Sequence, residues 1–242
     1  MRTSVLNAAL TTVLASAAIS ATADVFLPQR AFAASVSPAD VAPPIAMQCS
    51  DGDGQSRLGT DVFPGTRFSV PMGLSVDAPA SLAGWKLRGC DSFKMGFVNG
   101  DLPSNHVTVA LASIAAVPPW KGDKVFEQDV RKVVAQSDTP AQHIKVVEFK
   151  TLTLDGRPCA DVVRTGTIDV QLGQAHEIIS LFTRERIRLC LLTEAPQPGT
   201  AAFAIFKEVA PEVTSTFEDA ARQFIEGMVL PERPGTSSGR TN

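Results

Sequence analysis

The sequence predicts an α+β fold: a largely antiparallel sheet with one mid-chain helix and C-terminal helices packed on it. Three observations carry this expectation. Short β-rich runs punctuated by turn residues fill the first half of the domain, and hairpin-like runs fill the second. Between them Val125, Phe126, Val130, Val133 and Val134 recur at helical spacing. Near the end Val213, Phe217, Ala220, Ala221, Phe224, Ile225 and Met228 make a second apolar stripe at that period. Strands in runs, with helices set apart from them, describe an antiparallel sheet carrying helices on a face.

Taken in order, Arg67 to Val70 reads as a short strand stopped by Pro71, and Gly84 to Leu87 as another. Phe93 to Val98 follows, closed by the turn signal Asn99-Gly100-Asp101-Leu102-Pro103. His106 to Val117 is apolar on both alternating faces, the pattern of a strand covered on both sides, and Pro118-Pro119 ends it. Asp123 is placed to cap the mid-chain helix, because its carboxylate can accept from the free amides of the first turn. Ser137-Asp138-Thr139-Pro140 stops that helix.

Ile144 to Leu154 and Cys159 to Ile168 flank Asp155-Gly156, the strongest hairpin signal in the chain. A turn is expected over Asp169 to Gln174. A further hairpin is expected from Ala175 to Thr193, turning at Arg184-Glu185. Gly199 to Glu208 is read as a short helix, and Pro211 as the first turn of the last one.

The N-terminus predicts export. Arg2 precedes an uncharged run through Leu6, Leu10, Val13 and Leu14, and Ala21-Thr22-Ala23 offers a cleavage site, with Ala31-Phe32-Ala33 a second. The run is shorter and more polar than the ~20 apolar residues that span a bilayer. The expected organisation is a signal peptide at 1–23, an Ala/Pro/Ser-rich linker at 24–47, one domain at 48–230 and a disordered tail at 231–242. Removing the leader takes Arg2 and no acid, so 21 basic residues (22 less one) face 25 acidic ones, about −4. Charges so balanced and interspersed give no footprint for nucleic acid, and no stretch of the mature chain is apolar enough to span a membrane.

Four cysteines, Cys49, Cys90, Cys159 and Cys190, read as two disulfides in an exported chain. Three pairings are possible, and proximity in sequence favours Cys49–Cys90 with Cys159–Cys190. The second pair conflicts with the hairpin reading. In a plain meander Cys159 and Cys190 stand two strands apart, near 9.5 Å by the usual ~4.8 Å spacing. A disulfide needs Cα atoms within about 6.8 Å. Either the strand order is not a simple meander, or these cysteines do not pair.

Phe68-Ser69-Val70-Pro71, the helix around Phe126, the strand–turn–strand Leu152-Thr153-Leu154-Asp155-Gly156-Arg157-Pro158-Cys159 and the closing helix through Phe217 and Phe224 follow one pattern. In these elements, over about residues 60 to 230, the chain resembles the Mog1/PsbP-like superfamily of α/β/α sandwiches. The resemblance implies a binding, assembly or accessory role. It implies no particular reaction.

The residues themselves point to no cofactor and no metal. His106, His143 and His176 stand alone, without zinc-ligand spacing. Asp51-Gly52-Asp53-Gly54-Gln55 begins like a calcium loop, but Gln55, Ser56 and Val62 occupy the places of the remaining signature residues. No nucleophile elbow or phosphate-cradling glycine loop occurs. Trp120, in Pro118-Pro119-Trp120-Lys121-Gly122, is the candidate binding residue, since an exposed aromatic offers large contact area at little entropic cost. Trp85 is expected in the core. The expected function is therefore an exported, non-enzymatic binding or accessory protein with a protein or cell-envelope partner. The alternative is an exported hydrolase whose site gathers His143 or His176 with acids or a cysteine.

Overall fold

The computed structural model describes residues 46–49, 59–79, 84–101, 106–117, 122, 126–131, 142–172, 177–192, 199–212 and 214–233. Strand makes up 63% of these, so the protein is predominantly antiparallel β. Strands β1 (Ala46–Gln48), β2 (Arg67–Ser69) and β3 (Ser75–Asp77) form a small sheet in that order, β1 and β2 running parallel. A seven-stranded sheet contains β4 (Lys86–Cys90), β5 (Lys94–Asp101), β6 (His106–Val117), β7 (Gln142–Leu154), β8 (Arg157–Leu172), β9 (Glu177–Leu191) and β10 (Gly199–Ala210). Its order is β4-β5-β6-β10-β9-β8-β7, with every pairing antiparallel. Residues 126–131 are helical (α1), and α2 runs Phe217–Glu226.

Two expectations fail in instructive ways. The segment Gly199 to Glu208 is not a helix but the body of β10, inserted between β6 and β9 and buried along nearly its whole length. Its alanines favour helix locally, but a strand covered on both faces is also a continuous apolar run, and periodicity cannot separate the two. The alanines matter here because they let neighbouring layers approach. Ala204 lies opposite Ala112, and Phe206 opposite Ala110, leaving room for rings from outside the sheet. Phe206 meets Trp85, Phe217 and Phe224 at centroid distances of 5.9, 5.7 and 6.0 Å. The first two are edge-on, and such pairs add about 0.5–1.5 kcal/mol each beyond the area they bury.

The second failure is the turn at Arg184-Glu185, which is the middle of β9. The expected turn over Asp169 to Gln174 likewise begins too early, because β8 continues to Leu172 and Asp169 pairs with Ser180. With one long strand in place of a hairpin, β8 and β9 are neighbours and Cys159 stands directly opposite Cys190. The pair forms a disulfide with Cα atoms 4.1 Å apart, and Cys49–Cys90 forms the other at 4.9 Å. The meander conflict thus disappears with the turn that created it.

Asp155-Gly156 does make the β7–β8 hairpin, both residues being left-handed (φ 50° and 70°) as a tight two-residue loop requires. One C-terminal helix stands where two were expected. It begins after Thr216, not at Pro211, and buries Phe217, Ala220, Ala221, Phe224 and Ile225. These side chains share a core with β2, β3 and Trp85 on one face of the large sheet; both disulfides lie on this side. Phe126 and Val130 of α1 pack on the opposite face with Val162, Ile187, Leu189, Phe203 and Ile205. The fold also reaches past the expected domain limits. Ala46 and Met47 belong to β1, and the Pro231 carbonyl accepts from Arg157 Nη1 at 2.7 Å.

Candidate functional site

Strand β9 supplies most of the polar structure. Its alternation puts Arg184, Arg186 and Arg188 on the α2 face and Glu185 on the other. Three neighbouring strands place Arg164, Glu185 and Lys207 side by side. Arg164 Nε donates to Glu185 Oε2 at 2.9 Å, Arg164 Nη2 contacts the same oxygen, and Lys207 Nζ sits 2.8 Å from Oε1. The Arg164 and Glu185 side chains are each 3% exposed. Burial pushes the Glu185 carboxyl pKa up, but the charges of Lys207 and Arg164 outweigh it and hold the group below the ordinary carboxylate range.

On the α2 face the arginines act as a clamp. Arg184 and Arg186 both reach Glu218 in the first helical turn, and the Arg184 guanidinium lies 4.8 Å from the Phe217 ring centre. Arg188 grips Asp161 with two hydrogen bonds of 2.7 Å and donates to the Ile225 carbonyl at 3.1 Å. The helix has no basic residue in its last turn, so Arg188 supplies the positive charge that its C-terminal dipole favours. Nearby, buried Glu208 accepts from Thr214 Oγ1 and lies 3.0 Å from His106 Nε2.

Past the end of β10 the same sheet face carries exposed apolar side chains. Strand β10 pairs with β9 only as far as Ala210 opposite Phe182, while β8 and β9 continue together to Leu172 opposite Glu177. On the projecting ribbon Phe182 is 48% and Ile178 67% exposed. Thr167, Ser180, Asp169 and His143 share that face, with Ser180 Oγ donating to Asp169 Oδ1. Two large apolar side chains within a polar rim make this the candidate contact surface.

The structure gathers few of the sequence-predicted site residues. Trp120, His176 and the Asp51–Gln55 loop lie outside the described residues. Trp85 is fully buried, as expected. His143 is exposed on β7 opposite Thr167, on the face that also carries Asp169, and the four cysteines are joined as Cys49–Cys90 and Cys159–Cys190. Among the described residues no group of His, Cys, Asp and Glu has a metal-binding arrangement, and no helix is long and apolar enough to cross a membrane. Sequence reasoning missed the His106–Glu208 pair, whose partners are 102 residues apart and carry no local signal. It also missed the arginine clamp. A signal existed there: Arg184, Arg186 and Arg188 alternate strictly, the period of a strand and not of a turn.

No family model matches the chain, and no curated protein matches it. Among solved structures, a crystal structure from Bacteroides thetaiotaomicron VPI-5482 is similar at 11% identity and a TM-score of 0.30. The match covers 73% of this chain and 49% of that one, so the chain spans about half that protein's length.

Proposed function

We propose that this is an exported binding or accessory protein of the cell envelope or its surroundings, acting by contact and not by catalysis. One observation carries the reading: Ile178 and Phe182 stand exposed on the sheet face that α2 packs on, at and beyond the last β10–β9 pair. Apolar side chains so placed lose water favourably only when a partner covers them. The Met1–Ala23 leader and the two disulfides support export, since such bonds persist outside the reducing cytoplasm. The Mog1/PsbP-like resemblance, with helices packed on an antiparallel sheet, belongs to the same reading, and the docking of α2 supports it. Trp120 remains the second proposed contact residue.

The test is site-specific photocrosslinking in the expressing cell, with the reactive side chain at position 182, 178 or 120, and at exposed Phe63 as the control. A discrete adduct at the first positions and none at 63, recovered from an extracytoplasmic fraction, is the expected result. Adducts at none of them, or a protein retained in the cytoplasm, would sink the reading.

The hydrolase alternative is favoured by one pair. Buried Glu208 holds half-exposed His106, as a carboxylate orients a general base. Turnover of a chromogenic ester, amide or phosphoester that disappears in His106→Gln would replace the contact reading with this one.

A further inference from the structure

The two edges of the large sheet are finished differently. Beside β4, residues 59–62 supply hydrogen bonds at Gly59 N to Leu87 O, Leu87 N to Thr60 O and Val62 N to Trp85 O. Beside β7, no strand pairs with the outer edge among the described residues. On that edge Val146 and Val147 are 38% and 52% exposed. Lys145 and Glu148 are exposed too, and neither takes part in an ion pair among the described residues.

A bulge between Val146 and Glu148 sets the faces of this strand. Lys145 lies opposite Thr165 and Glu148 opposite Val163, which share one face of β8. Ile144 and Phe149 lie opposite Gly166 and Val162, on the other face. Residues before and after the bulge therefore alternate in opposite phase. Two such strands, run antiparallel, match faces along both halves only when the first half of one meets the second half of the other.

We infer that β7 pairs antiparallel with β7 of a second copy, about a two-fold axis between Val146 and Val147. In that register Lys145 faces Glu148 of the partner subunit, and Glu148 faces Lys145 of the partner subunit. Val146 meets Val147 of the partner subunit, and Ile144 meets Phe149 of the partner subunit. Charge selects this register. One face-preserving step in one direction sets Lys145 against Lys150 at both ends, and the step the other way leaves Lys145 against a valine. A lysine on an edge strand ordinarily deters pairing. Here it meets an acid in the register centred on the bulge, and the seven-stranded sheet would continue across both subunits.

Sedimentation velocity on the purified, oxidised protein tests this, with Lys145→Glu, Glu148→Lys and the double variant alongside. Dimer is expected for the wild type, loosening as salt rises. Each single change should loosen it at least about tenfold, because two attractive pairs become repulsive. An equimolar mixture of the two singles should form heterodimer, one chain then carrying acids at both positions and the other bases. The double variant should dimerise like the wild type. Both side chains are exposed, so unfolding temperatures should agree at protein concentrations low enough to keep every variant monomeric. A wild-type monomer at every concentration overturns the proposal. So does a dimer indifferent to the single changes, or a failure of the double variant and the mixture to recover.

Discussion

The two faces of the large sheet handle charge in opposite ways, although consecutive residues of β9 serve both. On the α2 face Arg184, Arg186 and Arg188 orient a helix, and each arginine or its acid keeps some access to water. On the other face Arg164 and Lys207 are sealed in and share the one carboxylate of Glu185. A broken pair on the first face can be rehydrated. On the second, a lost partner strands a charge, and the penalty is then desolvation instead of a missing attraction.

The largest effect should therefore come from Glu185→Ala, which leaves two cations buried without their carboxylate. A loss of about 3–5 kcal/mol in urea unfolding of the oxidised protein is expected. Acid sharpens the point. Because the folded-state pKa of Glu185 is depressed, its stabilisation is complete above the ordinary glutamate pKa, about 4.3, and fades as pH falls below that. In Glu185→Gln this part of the acid dependence should vanish. Stability curves of equal slope in the two proteins below about pH 4 would contradict it.

Next in size is the Cys159–Cys190 staple on the α2 face, which closes a loop with a sequence separation of 31. The paired change Cys159→Ala, Cys190→Ala should cost about 2–4 kcal/mol, chiefly by freeing the unfolded chain. Mass mapping without reduction should recover the Cys159–Cys190 and Cys49–Cys90 peptides linked.

Within the clamp, Arg188→Met should cost about 1.5–3 kcal/mol, since it removes hydrogen bonds to Asp161 and to the last turn of α2. Arg186→Met, whose contact with Glu218 is 3.4 Å long and partly exposed, should cost under about 1 kcal/mol. Equal costs for the two would mean that the helix is held by apolar packing alone.

This contrast also explains what the sequence revealed and what it hid. Asp155-Gly156 was legible because two left-handed residues need a particular chemistry wherever they occur. The span of β6 was legible from a run apolar on both faces, bounded by His106 and Pro118. Arg184-Glu185 misled because three consecutive charges look like solvent-exposed turn. Their burial depends on Arg164, Lys207, Glu218 and Asp161, none of them local. The Ala-rich β10 misled for the complementary reason: its neighbours, not its own propensities, make it a strand. The candidate surface at Ile178 and Phe182 was hidden altogether. Exposure there goes with where β10 ends, and no local pattern records that.

One expected effect, about as small as that of Arg186→Met, has the opposite sign. Thr183 shares the sealed face with Glu185, two residues away; it is 1% exposed, and its Oγ1 has no hydrogen-bond partner among the described residues. Unlike the charged trio beside it, this polar group is buried without compensation, at a cost of about 1–3 kcal/mol for the lost hydration. Thr183→Val keeps the branched shape that suits a strand and replaces the hydroxyl with a methyl group. The variant should gain about 1 kcal/mol in urea unfolding, with the Glu185 acid dependence unchanged. A loss instead would place a buried water between Thr183 and its neighbours, since only a bonded hydroxyl is missed when removed. The sealed face would then be a hydrated network and not a dry one, and the cost of Glu185→Ala should shrink with it, because water could reach the stranded cations.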